Sequence, residues 1–132
     1  MIWVIMGSQS DEEIMDEACA VLKENKVKFD KLILSAHRQP DKLRIKIKQA
    51  KRAGVKVIIA GAGFAAALPG FIASHTDIPV LGVPIPSSPL KGIDSLFSIV
   101  QMPSGVPVAT FGIGKSGARN AAYFAVRLLK RS

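Results

Sequence analysis

The sequence predicts an α/β domain in which a parallel sheet of five strands is wrapped by helices, and three observations predict it. Short β-branched runs alternate with stretches of helical periodicity, as in strand–helix–strand units rather than in a sandwich. The 132 residues are the size of one domain, able to bury roughly two-thirds of the unfolded surface without metal or disulfide support. The composition, 48% hydrophobic with 16 alanines and 11 glycines, suits layers in close contact.

The elements follow in order. Residues 2–6 (Ile-Trp-Val-Ile-Met) form the first strand. Ser10-Asp11-Glu12-Glu13 has the Ser-x-x-Glu form of a capping box, and Ile14, Met15, Ala18, Cys19 and Leu22 share one helical face, so a helix starts near residue 10. A second strand spans about 29–35. A second helix spans 41–53, opened by Pro40 and closed by Gly54, with Leu43, Ile47 and Ala50 inward. The third strand, 55–60, leads into Gly61–Gly70, a run of small residues, and a helix to about Ser74 whose first turn, or a break, holds Pro69. Then come a strand at 79–83, a stiff loop at 84–90 with three prolines, a helix near 92–101, a fifth strand at 106–111 and a last helix near 117–130. No repeat or interdomain linker interrupts residues 1–132.

Composition excludes several classes. The single Cys19 can form neither an internal disulfide nor a multi-cysteine metal site, and it fits the buried stripe of the first helix. Met1 runs into Ile2-Trp3-Val4-Ile5 without a charged leader, and no apolar run reaches the roughly 20 residues a membrane span needs; a cytoplasmic protein is expected. The net charge of +8 is unevenly placed. Residues 1–22 carry five acids and no Lys or Arg, whereas residues 23–56 hold 12 of the 18 basic residues against Glu24, Asp30 and Asp41. In the second helix these charges alternate with Leu43, Ile45, Ile47 and Ala50, and Phe29 is the only aromatic of the band. That pattern reads as the wet face of an amphipathic helix, with no nucleic-acid partner.

Ligands of open α/β sheets bind beyond the carboxyl ends of strands, where the strand order reverses. This selects three sets: Gly7 to Asp11, Ser35 to Arg38, and Gly61 to Ala67. The first is a tight turn feeding a helix N-terminus, where free N–H groups favour an anion. Ser8 and Ser10 add hydroxyls, Arg38 offers a bidentate fork to phosphate, and Asp11 can accept hydrogen bonds from ribose hydroxyls. Together they suggest a ribose phosphate or nucleotide; the competing reading makes Ser10 and Asp11 helix caps. Neither GxGxxG nor GxxxxGK[ST] is present. Imidazole is the side chain suited to taking and returning a proton at neutral pH, and His37, beside Arg38 at a strand's carboxyl end, is the candidate. His75 reads as a helix-end residue. The apolar Gly61–Gly70 run offers backbone amides to a ligand or close helix-to-sheet packing, and the sequence leaves both open.

The motifs Met6-Gly7-Ser8-Gln9-Ser10-Asp11, Ser35-Ala36-His37-Arg38-Gln39-Pro40, Ile58-Ile59-Ala60-Gly61-Ala62-Gly63, Leu68-Pro69-Gly70, Pro79 to Pro84, Gly92 to Pro103 and Asn120-Ala121-Ala122 closely resemble, in order along the chain, the class I PurE family of N5-carboxyaminoimidazole ribonucleotide mutases. The resemblance implies a flavodoxin-like three-layer α/β/α sandwich with strand order 2-1-3-4-5. It also implies movement of a carboxylate from the exocyclic nitrogen of an aminoimidazole ribonucleotide to ring C4, with no cofactor, ATP or metal. By that pattern His37 is the general acid/base, and Ser8, Asp11 and Arg38 hold the substrate with Ser10 and Ser35 in support. Gly61, Ala62, Gly63, Ala66, Ala67 and Leu68 then wall the site. The only other partners implied are further copies of the chain, as an octamer, although the sequence stops at Ser132 before a helical segment that many relatives carry. Two departures fall in the wall: Phe64 stands where the family usually has glycine, and Ala67 where it has histidine. They leave two alternatives, direct carboxylation of aminoimidazole ribonucleotide, or a nucleotide-binding homologue impaired in catalysis.

Overall fold

The computed structural model describes residues 1–131. The strands are β1 (Ile2–Met6), β2 (Phe29–Ile33), β3 (Val57–Gly63), β4 (Val80–Ile85) and β5 (Ala109–Thr110). They form one parallel sheet in the order β2-β1-β3-β4-β5, the flavodoxin-like order expected. The helices are α1 (Glu12–Glu24), α2 (Pro40–Lys48), α3 (Leu68–Ala73), α4 (Ile93–Val100) and α5 (Lys115–Arg131).

Strand alternation sorts the core into two layers. Ile2, Val4 and Met6 of β1 join Val57 and Ile59 of β3 against α1 and α5, where Met15, Ala18, Leu22, Ala118 and Ala122 are buried. Trp3 and Ile5 join Ile58, Ala60 and Ala62 on the opposite face, under Leu43, Ile47, Leu68, Ile72 and Ile99 of α2, α3 and α4. Trp3 is 2% exposed, with the Lys46 ammonium 5.1 Å from its ring centroid and no hydrogen-bond partner for its Nε1 among the described residues.

Several boundaries differ from the expected ones. The capping box does not form: Ser8 caps a 3₁₀ turn over Gln9–Asp11 by accepting from the Ser10 amide, the Ser10 hydroxyl lies 3.0 Å from that of Ser8, and α1 begins only at Glu12. β2 stops at Ile33, although the Leu34 amide still donates to the Met6 carbonyl. α2 ends at Lys48 and runs out in turns to Gly54, whose φ of +83° suits glycine. Pro69 sits in the first turn of α3.

β3 runs on to Gly63, so Gly61 to Gly63 are strand rather than loop. β4 runs on through Pro84 and Ile85. Pro84 has no N–H to give, and β4 loses its β5 neighbour after Gly82; the Pro84 carbonyl on that side accepts from Gly114 instead. β5 has only two residues, because Val106 is tied into a turn with Pro103 and Pro107 cannot donate to a ladder.

The basic band is partly neutralised. Lys31 on β2 reaches Glu12 (2.7 Å) and Asp16 (3.1 Å) of α1, which hold its ammonium above the ordinary lysine range, the Glu12 hydrogen bond contributing most. Lys51 pairs with Asp77 (2.5 Å) and Arg44 with Asp41 (3.5 Å). No helix among the described residues is long and apolar enough to cross a membrane.

Candidate active site

The strand order reverses between β1 and β3, and a crevice of about 310 Å³ opens there at the carboxyl ends of the strands. The turn after β1 lines it with Gly7, Ser8, Ser10 and Asp11, and the turn after β2 with Ser35 to Arg38. The end of β3 and its sequel line it from Ala62 to Leu68. Of the three sets read from the sequence, Gln9 and Gly61 do not reach it.

Gly61, expected in the wall, does not line the crevice. Its backbone pairs with Met6 of β1 and Val83 of β4, and a Cβ built on it would collide with the fully buried Met15 side chain of α1. It is bare for packing against α1, deeper along β3 than the residues that line the crevice. Gly63 is bare for the other reason: a Cβ there would strike the Ser87 Oγ, itself part of the crevice.

Ser87 is the lining residue that sequence reasoning missed. It follows β4, whose carboxyl end the same rule would have selected had the strand been taken past Val83. The three prolines around it read only as stiffness.

Each polar group has a local cause. Ser8 spends its hydroxyl on the Ser10 amide (3.3 Å) and the Ser10 hydroxyl, so both serines order the turn besides facing the crevice. Asp11 is 6% exposed; burial pushes its carboxyl above the usual carboxylate range, and a backbone hydrogen bond with Ser8 opposes that shift. It makes no side-chain bond to the start of α1, so the capping reading fails for it.

The Ser35 hydroxyl accepts from the Arg38 amide (3.1 Å) and its carbonyl from the Gln39 amide (3.0 Å). This turn sets His37 and Arg38 on one lip of the crevice, both exposed and, among the described residues, with no side-chain hydrogen bond or ion pair. A free guanidinium and a free imidazole on adjacent residues can take an anion and a proton respectively.

The opposite wall has no polar side chain except Ser87. Ala62, Ala66 and Leu68 are buried, whereas Ala65 and Ala67 face outward at the start of α3. Phe64 stands among them 56% exposed and with φ at +54°; its carbonyl accepts from the Ala66 amide (2.9 Å) and the Ser95 hydroxyl (3.2 Å).

Of the residues outside this crevice, Cys19 is buried and its thiol is pushed up to about 11, by burial first and by Asp16 second. His75 closes α3, its ring stacked on Phe71 at 4.4 Å and its Nδ1 2.8 Å from the Phe71 carbonyl. Both fit the structural roles expected of them.

A flavodoxin-like α/β protein with an anion-ready lip, a buried carboxylate and a dry wall at its topological switch point is thus defined. The chain belongs to the AIR carboxylase family, whose family model matches residues 1–132. It is 54% identical over 129 residues, 98% of its length and 80% of the relative's, to a Bacillus subtilis protein named N5-carboxyaminoimidazole ribonucleotide mutase. A Saccharolobus solfataricus protein of the same name is 56% identical over 126 residues, with 96% of this chain and 78% of the relative covered. A phosphoribosylaminoimidazole carboxylase of Saccharomyces cerevisiae is 54% identical over 98% of this chain, which spans 22% of that longer protein. Among solved structures, the crystal structure of Treponema denticola PurE superposes with a TM-score of 0.87 at 28% identity, covering 98% of this chain and 79% of that one.

Proposed function

We propose that the protein is an N5-carboxyaminoimidazole ribonucleotide mutase of purine biosynthesis, with His37 as proton carrier and no need of ATP or metal. The observation that carries this reading is the meeting, in one crevice, of Arg38 and the Ser8–Asp11 turn with His37 and the apolar Ala62–Leu68 wall. The relatives' names agree with it.

In this reading Arg38, Ser8 and the N–H groups of the turn hold the phosphate, and Asp11 accepts from the ribose hydroxyls. Ser10 and Ser35 support the two turns. The carbamate nitrogen takes a proton from His37 as its N–C bond breaks, leaving 5-aminoimidazole ribonucleotide and CO2 between the lips. C4 then attacks CO2, and the proton displaced from C4 returns to His37, so the step is an isomerisation with no net proton change. A wall without polar side chains keeps water away from the CO2. The small molecule is the only ligand required, in the cytoplasm, with neither nucleic acid nor membrane as partner.

We also retain the octamer as part of the proposal. Ile93, Phe97 and Val100 form a stripe at i, i+4 and i+7 along α4, exposed by 45–62%, and Leu90 just ahead of the helix is exposed too, an apolar face suited to a second copy.

The test is turnover of the purified protein on the carbamate, without ATP or added bicarbonate. Appearance of the C4 carboxylate supports the mutase. If only 5-aminoimidazole ribonucleotide and CO2 appear, the mutase reading fails. Product formed solely from 5-aminoimidazole ribonucleotide and CO2 would establish the carboxylase reading, which the name of the yeast relative favours. Binding without turnover would establish the impaired homologue, which Ala67 favours by leaving the wall without a polar partner.

A further inference from the structure

Phe64 is a residue of the crevice to which the proposed chemistry gives no task beyond its place in the wall. Its ring is more than half exposed, and its backbone sits at φ +54°, a conformation that disfavours side chains other than Gly, Asn and Asp by about 1–2 kcal/mol. Neither property helps the chain fold. Both persist because neighbours impose them: the Phe64 carbonyl is bound by the Ala66 amide and the buried Ser95 hydroxyl, and Gly63 before it lies flush against Ser87. These contacts hold the backbone of Phe64 where its ring lines the crevice. Strain maintained in this manner gathers at ligand sites.

Across the crevice stand Arg38 and His37, which hold no partner of their own among the described residues. One side is therefore built for the anionic end of a ligand, and the other presents an open π face. Aromatic faces take planar heterocycles, and stacking is worth about 1–3 kcal/mol per base in nucleic-acid complexes.

We propose that Phe64 is a specificity-determining residue, a platform on which the planar ring of the ligand stacks, so that the site prefers a ribose phosphate bearing an aromatic heterocycle to a bare sugar phosphate. The proposal rests on the ribonucleotide reading above and adds to it what recognises the ring.

Two probes separate the contributions: ribose 5-phosphate, which lacks the ring, and 5-aminoimidazole ribonucleotide, which has it. Their dissociation constants are measured by calorimetry on the unmodified protein, Phe64→Gly, Phe64→Tyr and Arg38→Ala. In Phe64→Gly the preference for the ring-bearing probe falls about fivefold to tenfold, the low end of a stacking energy, while affinity for ribose 5-phosphate is unchanged. Phe64→Tyr keeps the preference. Phe64→Gly melts no lower than the unmodified protein, because glycine is relaxed at this φ. Arg38→Ala weakens both probes alike. Equal losses for both probes in Phe64→Gly, or a lowered melting temperature with the preference intact, overturns the platform while leaving the ribonucleotide reading standing. Failure of the unmodified protein to bind either probe overturns both.

Discussion

Gly61→Ala separates packing from ligand binding at a glycine whose role the sequence left open. The added methyl would lie 2.9 Å from the Met15 Cε and 3.0 Å from its Cγ, and closer still to the sulfur. Met15 is fully buried between α1 and the sheet, so its thioether has little space to retreat into. Overpacking costs about 1–3 kcal/mol, and an approach this close to a fully buried side chain belongs in the upper part of that range, about 2–3 kcal/mol; the stiffer alanine backbone returns about 0.5–1 kcal/mol, leaving a net loss of about 1–2.5 kcal/mol. For 132 residues the unfolding entropy is about 0.28 kcal/mol/K, so the melting temperature falls by about 4–9 °C. Calorimetry or thermal circular dichroism reads this directly. Met15→Ala is destabilising by itself, but in the Gly61→Ala background it costs about 1 kcal/mol less, since the two side chains compete for one space. Because Gly61 does not line the crevice, affinity for ribose 5-phosphate stays within twofold. An unchanged melting temperature combined with a tenfold loss of affinity would refute the packing account and return Gly61 to the ligand wall.

The remaining predictions concern charge, the proton carrier and the wall. His37→Asn abolishes turnover on the carbamate with at most a few-fold loss of substrate affinity; near-normal turnover in a rate assay removes His37 from the mechanism. Because burial raises the Asp11 carboxyl above its ordinary range, the folded chain holds that proton more tightly than the unfolded one, and ionisation costs stability as pH rises through the carboxylate range. Asp11→Asn therefore gains on the unmodified protein in urea midpoint at pH 7, and the gain shrinks once the pH lies below the carboxylate range. The same substitution weakens binding of ribose 5-phosphate about tenfold by replacing a charged acceptor, and a gain in stability that grew on acidification would contradict the sign. With its thiol near 11, Cys19 is about one part in a thousand thiolate at pH 8; a disulfide thiol reagent labels it only on unfolding, and rapid native labelling would show the site to be open. Ala67→His restores a polar side chain to the wall and raises kcat if the wall limits the reaction, whereas an unchanged kcat shows that the remaining groups suffice.

What could be read without coordinates was whatever depends on period and order. β1 is apolar at every position because both its faces are covered, and that continuous run set its limits correctly. The sheet order came with the family resemblance, and the clustering of three strand ends followed from the switch-point rule. What escaped depends on which partner a group chooses. The Ser10–Glu13 spacing fits a capping box, but Ser10 turns to Ser8, a choice decided by the turn ahead of the helix. Gly61 and Gly63 look alike in sequence and share one face of β3; they differ in their place along the strand, one lying under a methionine on α1 and the other beside a serine beyond β4. Ser87 went unnoticed because Pro84 reads as the end of a strand, and nothing local reveals that the strand beside it has already stopped.

Trp3 gives the molecule a fluorophore whose surroundings are fixed by this architecture. It is the only tryptophan, sits in the sheet interior with its indole N–H unpartnered among the described residues, and precedes Gly7 by four residues, about 13 Å along an extended strand. The emission expected of it is that of a dry indole, with a shift to the red when α2 and α3 come away from the sheet. Intrinsic fluorescence is therefore a faithful report of unfolding and is silent on what occupies the crevice.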